Sequence, residues 1–303
     1  MVNNSIKLLI IGISAFVVSC SHFSQDRSTG YTLRWLGTAG WKLDYQGSTT
    51  LIDPYLSRRS SKDTDGDKLW VLDPDSIEFA LKKAEINHVD QIFVSHGHFD
   101  HFGDVPYLLK KFPLATVYGN STVCNILAST NPTAKCIDFS SKSIVGSSGM
   151  TVKIIPSLHT FVGPEKKLWY AGSYKSPPHL PLKTGDYLEG GTYMFYFQGE
   201  GISFLFQGAA NFIEKELIGL HPKTMTIASG LYKNVEDYQR KLIHGLRPNT
   251  VLLNHFENFF LPYSSGIVID KKELDTFLSE LHSLDSSLRV TVPQFFKEMS
   301  FKD

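Results

Sequence analysis

Apolar positions recur along this chain at two spacings. Short runs in which every residue or every second residue is apolar fall at roughly 31–36, 41–45, 49–53, 91–95, 115–118, 151–155, 192–197, 202–207, 224–228, 250–254 and 288–292, and they predict strands. Apolar residues three and four apart predict helices over 76–84, 105–111, 121–129, 214–220, 235–246 and 271–284. In the last of these, Leu278, Leu281 and Leu284 make a stripe that faces a core. The strands fall into an early and a late group, with helices interleaved in each. That alternation predicts an α/β protein built as a four-layer αβ/βα sandwich, two sheets face to face with helices on both outer sides. Strand ends from both halves would then converge along one edge.

One apolar run stands outside this pattern. Residues 8–18 follow Lys7 and lead into Ser19-Cys20. The run is too short to cross a bilayer as a helix, so residues 1–19 read as a signal peptide. Val17-Val18-Ser19-Cys20 resembles a bacterial lipobox, in which the cysteine is acylated, palmitate included, and becomes the first mature residue. On that reading Cys20 is the lipidation site, 20–30 is a polar tether, and 31–303 is a single domain. The protein would be an extracytoplasmic lipoprotein, a membrane protein only through this N-terminal anchor. Ser21 after the cysteine points to the periplasmic side of the outer membrane where the source has two membranes. A single acyl chain binds only marginally, and several hold firmly. The alternatives are a secretory peptide with an incidental cysteine, or an uncleaved anchor.

The 30 basic and 30 acidic residues cancel, so no electrostatic footprint for nucleic acid appears. Cys124 and Cys136 flank Pro132 and are either two buried thiols or, outside the cytoplasm, a disulfide. Asp63, Asp65 and Asp67 alternate as in a hard-cation loop, but the glutamate and helix of an EF-hand are missing; a solvated loop near a site mouth fits better. The segment 164–191 carries Trp169, Tyr170, Tyr174 and Tyr187 and suits a wall over a substrate pocket, or aromatics that pack the loop to the body. His179 within it, and His88, His221, His244 and His282 elsewhere, lack partners at ligand spacing.

Chemistry concentrates in Ser95-His96-Gly97-His98-Phe99-Asp100-His101, directly after the apolar run Gln91-Ile92-Phe93-Val94. A strand running into such a turn aims three imidazoles and a carboxylate at one point. Imidazole suits zinc and neighbouring transition metals, and a carboxylate holds a second ion or orients water. No nucleophile elbow and no phosphate-cradling glycine loop is present.

His96-x-His98-x-Asp100-His101 resembles the signature of the metallo-β-lactamase-fold hydrolase superfamily. Trp35-Leu36-Gly37-Thr38-Ala39-Gly40-Trp41 and Thr50-Leu51-Ile52-Asp53-Pro54 resemble the opening hairpin of its lactonase and phosphodiesterase branch. Pro156-Ser157-Leu158-His159 and Val251-Leu252-Leu253-Asn254-His255-Phe256 resemble two further ligand-bearing strand ends. The resemblance implies a first metal on His96, His98 and His159 and a second on Asp100, His101 and His255. It implies one or two zinc ions, or another transition metal, and attack by metal-bound hydroxide on a phosphodiester, lactone or acyl ester. Asp100 is the implied general base or acid. Asp53 is either a carboxylate that orients a ligand histidine or a turn carboxylate before proline.

One position departs from the pattern. Where the superfamily places a metal-bridging aspartate after glycine, this chain reads Gln207-Gly208-Ala209-Ala210-Asn211. Ala209 offers no ligand atom. Either one ion is held by His96, His98 and His159 plus water, or Asn211 or Glu257 substitutes, or turnover has been lost. Glu257 would otherwise be a plain surface acid. The leading expectation is therefore a lipid-anchored metal-dependent hydrolase of a small-molecule or lipid-derived substrate. A non-catalytic metal- or ligand-binding envelope lipoprotein on the same fold is the alternative.

Overall fold

The early strands reverse tightly on one another. β1 (Tyr31–Gly37) pairs antiparallel with β2 (Gly40–Tyr45), and β2 with β3 (Ser48–Ile52). The chain then crosses over to add β4 (Gln91–Phe93), β5 (Thr116–Gly119) and β6 (Cys136–Asp138), each parallel to its predecessor in the sheet. These crossovers carry α1 (Pro74–Lys83), α2 (Phe99–Phe102), α3 (Val105–Lys111) and α4 (Ser121–Thr130). The structure is a computed structural model that describes residues 30–139, 142–145, 149–162 and 165–302. The signal peptide, Cys20 and nearly all of the tether expected from the sequence lie outside the described residues.

The second sheet contains β7 (Lys142–Val145), β8 (Thr151–Ser157), β9 (Thr192–Gly199), β10 (Ile202–Phe206), β11 (Thr224–Ala228), β12 (Thr250–Asn254) and β13 (Arg289–Thr291). Its order runs β13-β12-β11-β10-β9-β8-β7. α5 (Tyr238–Leu246) and α6 (Lys271–Leu284) cover its outer face. The chain ends by returning β14 (Glu298–Phe301) to the first sheet, antiparallel to β1, with Phe301 opposite Tyr31.

Period-two alternation produces the layering. On β4, Ile92 points to the helices of the first half while Phe93 points between the sheets. On β12, Val251 and Leu253 meet α5 and α6 while Leu252 faces the other sheet. The space between the sheets is aromatic: Trp35, Trp41, Phe93, Phe195, Phe197 and Phe204 are all fully buried there. The expected αβ/βα sandwich is the observed one.

Two groups of elements differ from expectation. Residues 214–220 do not form an α-helix; only a short 3-10 turn, Glu214–Leu217, is present. Gly219 sits at φ +79, so helical backbone does not continue, although Leu217 and Leu220 are buried and only Ile218 turns outward, 79% exposed. β6, β7, β14 and α2 were not predicted. They are three or four residues long, too short for a period to declare itself. Cys124 on α4 and Cys136 on β6 form a disulfide with Cα atoms 5.6 Å apart, which resolves the two readings of that pair.

Candidate metal centre

The ends of separate strands build the site. Asp53 follows β3, Ser95 and the histidine loop follow β4, His159 follows β8, Ala209 follows β10 and His255 follows β12. Crevices at strand ends are where open α/β sheets place ligands. Asp53 and His255 both hold left-handed backbone, at φ +45 and +49. Non-glycine residues seldom adopt it, and where they do the surrounding structure holds them there.

His96, His98 and His159 bring one ligand atom each to within 4.8 Å of one another, and so do Asp100, His101 and His255. These are the six residues expected as ligands from the sequence, and they fall into the two expected groups, each of which could hold a metal ion. His96 Nε2 and His98 Nδ1 face each other at 3.1 Å. Asp100 Oδ2 lies 3.3 Å from His255 Nε2 and 3.7 Å from His101 Nε2.

The hydrogen bonds behind the rings decide which nitrogens are bare. Asp53 accepts from the Ser95 backbone N–H at 2.6 Å and from the Ser95 hydroxyl at 2.5 Å. Because that hydroxyl donates to the carboxylate, its oxygen accepts from His96 Nδ1–H at 3.0 Å, leaving His96 Nε2 with a lone pair. Asp53 also takes the Nδ1–H of His101 at 2.7 Å, and the Thr160 carbonyl takes that of His159 at 2.7 Å. In their neutral form these three rings therefore turn a bare Nε2 inward, the tautomer a metal requires. This donor set fits a transition metal.

Electrostatics agree. Burial, then the charges of His101 and the other neighbouring rings, holds His96 well below the usual histidine range. Burial and His159 push His98 down to about 3. Burial also lowers His159. Burial alone would raise Asp100, but His101 and His255 outweigh it and keep the carboxylate ionised. His101 is held up because Asp100 and Asp53 outweigh its burial.

Asp53 is thus the ligand-orienting carboxylate of its two readings. Gly208 is explained by it, since a Cβ there would stand 2.7 Å from Asp53 Oδ2. Asn211 is not a substitute ligand. Its amide donates to the His159 carbonyl at 3.1 Å and its oxygen accepts from the Phe212 N–H at 2.9 Å, so it braces the His159 turn. Glu257 is neither a substitute ligand nor a surface acid. It is buried against Arg58, Nη1 to Oε1 2.5 Å, and accepts from the Thr38 N–H at 2.8 Å.

The wall above the site is the 164–191 segment in part. Trp169 and Tyr170 line the cavity, whereas Tyr187 is buried beside Trp70 and Phe102. The far end of the segment is pinned to the histidine loop. Gly97 N–H donates to the Glu189 carbonyl at 2.9 Å, and a Cβ on Gly97 would stand 2.2 Å from the Leu188 carbonyl oxygen. Asp63, Asp65 and Asp67 are exposed, and Thr64 between them lines the cavity. His88, His179, His221, His244 and His282 belong to neither group.

Sequence reasoning missed Ser95, Arg58 and Asn254. Asn254 accepts from Trp41 Nε1–H at 3.0 Å and donates to the Gln207 carbonyl at 2.9 Å, tying β12 to β2 and β10 just before His255. Its place beside His255 was the available signal. Arg58 carried none, since its partner lies 199 residues away.

Comparison with known proteins agrees with this geometry. The profile of the metallo-beta-lactamase superfamily matches residues 41–129. A UPF0173 metal-dependent hydrolase from Hyperthermus butylicus is 26% identical over 268 residues, covering 87% of this chain and 97% of that protein. Another from Aeropyrum pernix is 28% identical over 145 residues, a match that spans about half of its length, 52%. The structure of Igni18, a metallo hydrolase from Ignicoccus hospitalis, superposes with a TM-score of 0.57 at 16% identity, covering 90% of this chain and 99% of that one. The two-sheet α/β architecture is the metallo-beta-lactamase fold, and residues 41–129 are similar in sequence to that superfamily.

Proposed function

We propose that this protein is a metal-dependent hydrolase acting on an ester-type bond: a phosphodiester, lactone or acyl ester. One observation carries the reading. Two adjacent groups of metal-capable side chains, His96/His98/His159 and Asp100/His101/His255, meet a cavity of about 680 Å³ that all of them but the buried His96 line. The nitrogen-rich donor set favours zinc, in one or two ions. When bound, the metal supplies Lewis acidity and acidifies water. The chain's own residues do the rest. Asp53, Ser95 and Thr160 fix the tautomers of His101, His96 and His159. Asp100, kept ionised by His101 and His255, takes a proton from the attacking water and passes it to the leaving oxygen. Asp100→Asn is expected to lower kcat by about 10²–10⁴-fold with an unchanged melting temperature. Undiminished turnover in that variant would remove Asp100 from the mechanism.

Ala209 supports a second reading, a binding protein without turnover, because among the described residues no carboxylate joins the two groups. Against it weigh six metal-capable side chains in two groups, three of whose rings are hydrogen-bonded from behind.

We also propose a lipid anchor at Cys20 with the domain outside the cytoplasm and no role in nucleic-acid binding. The Val17-Val18-Ser19-Cys20 motif supports the anchor, and the Cys124–Cys136 disulfide suits an oxidising compartment. Radiolabelled palmitate should enter the wild-type protein and not Cys20→Ser; equal labelling would refute the anchor.

A further inference from the structure

The cavity over the ligand groups is largely apolar and, among the described residues, no lysine or arginine lines it. Its acids besides Asp100 are Glu257, already matched by Arg58, and Asp270 and Glu273. A substrate with anionic groups away from the reacting bond would find no cation there and would meet two carboxylates.

Apolar side chains do the opposite. Phe259 stands edge-on to the His255 ring, 5.2 Å between centroids, and packs tilted against Phe260 at 4.2 Å. Tyr170 lies edge-on to His98 at 6.0 Å. Toward the mouth, Trp169, Leu231 and Val268 line the same cavity yet remain 58%, 46% and 40% exposed. Leu231 is also held at φ +62, a conformation that leucine rarely adopts. The preceding Gly230 N–H donates to the His255 carbonyl at 3.0 Å, fixing that turn to the ligand strand. A concentration of exposed apolar surface at a concave site marks a binding surface for apolar groups.

Resting on the hydrolase reading above, we propose that this cavity binds the hydrocarbon acyl chain of a neutral carboxylic ester. The chain would run from the ligand groups along Phe259 and Phe260 to the mouth at Leu231, Val268 and Trp169. Of the three bond classes, the acyl ester is the one this lining suits. In the reaction, the oxygen of water bonds to the carbonyl carbon as the ester carbon–oxygen bond breaks. The proton goes to the leaving oxygen, giving a carboxylic acid and an alcohol.

The test compares p-nitrophenyl acetate, butyrate, octanoate and decanoate on the metal-loaded protein. In parallel, tryptophan fluorescence is titrated with 2-undecanone, an uncleavable ketone counterpart, and with 2-butanone. Trp35 and Trp41 are fully buried and Trp70 is half-buried behind Phe99, so exposed Trp169 is the reporter that lines the cavity, and Trp169→Phe is the control that separates its signal from that of Trp70. The proposal expects kcat/KM to rise at least about tenfold from acetate to octanoate, a fraction of the roughly fourfold per methylene that full burial would give. It expects 2-undecanone, not 2-butanone, to shift the fluorescence. Leu231→Asn and Val268→Asn should each flatten the octanoate-to-acetate ratio. Equal rates at every chain length with no ketone response would overturn the subsite and leave the hydrolase reading standing. Ketone binding without turnover of any ester would keep the subsite and remove the hydrolase reading. A fluorescence response to phosphatidylcholine vesicles but not to 2-undecanone would make the rim a membrane contact and overturn the proposal.

Discussion

The Asp53 carboxylate accepts the Nδ1–H of His101 at 2.7 Å, and both side chains are shut off from solvent. The same carboxylate holds the Ser95 hydroxyl, which in turn sets His96. One residue thereby fixes a ring in each of the two ligand groups. Asp53→Asn keeps the size but replaces an acceptor with a donor toward one of these partners. Metal affinity is expected to fall about 10–100-fold, read by competition with a chromogenic chelator. Unchanged affinity would show that the rings are held by packing alone.

Arg58 and Glu257 make a second buried relationship, with side chains 1% and 0% exposed. The guanidinium also lies 5.2 Å from the ring centroids of Tyr263 and Phe295. Removing one partner leaves a buried charge, so Glu257→Ala or Arg58→Ala is expected to cost about 3–5 kcal/mol in urea unfolding. Replacing both, as Arg58→Met with Glu257→Leu, should recover most of that loss. A double variant as unstable as the singles would mean that the pair is worth more than its desolvation.

Much of this architecture was legible in the chain. Eleven runs of strand-like apolar residues matched strands, most plainly where both faces are buried, as on β12, where Leu252 and its neighbours serve two cores; β1 and β8 show alternation instead. His96, His98, Asp100 and His101 announced themselves by spacing, and His159 and His255 by their place at strand ends. What stayed hidden depends on distance along the chain. Nothing near Glu257 shows that it pairs with Arg58, and nothing near Asn211 shows that its amide is spent on the His159 turn. The supposed helix over 214–220 failed although Leu217 and Leu220 do reach the core, because an apolar pattern does not reveal that the chain turns left-handed at Gly219.

The cluster also makes the metal-free protein acid-sensitive. His98 is held down to about 3 by burial and by His159, whereas an unfolded chain titrates near 6.5. Between those values the unfolded state binds more protons, so stability conferred by the neutral ring is present above about 6.5 and is lost as pH falls toward 3. His96 and His159 shift the same way, and His101, whose pKa is raised, acts in the opposite sense. At pH 5 the His98 contribution alone is about 2 kcal/mol. The urea midpoint of metal-stripped protein should therefore drop between pH 7 and 5, and drop less in His98→Asn. An equal drop in both would place the acid sensitivity elsewhere.

Ala209 leaves the two ligand groups without a shared protein carboxylate, and neither Asn211 nor Glu257 replaces it. The most direct measurement is elemental analysis of the purified domain, residues 21–303, beside its Ala209→Asp variant. One tightly held ion per chain in the wild type, with a second that dialyses away but is retained in the variant, is the predicted result. No tightly held metal in either protein would contradict the account and leave a binding protein on a hydrolase fold.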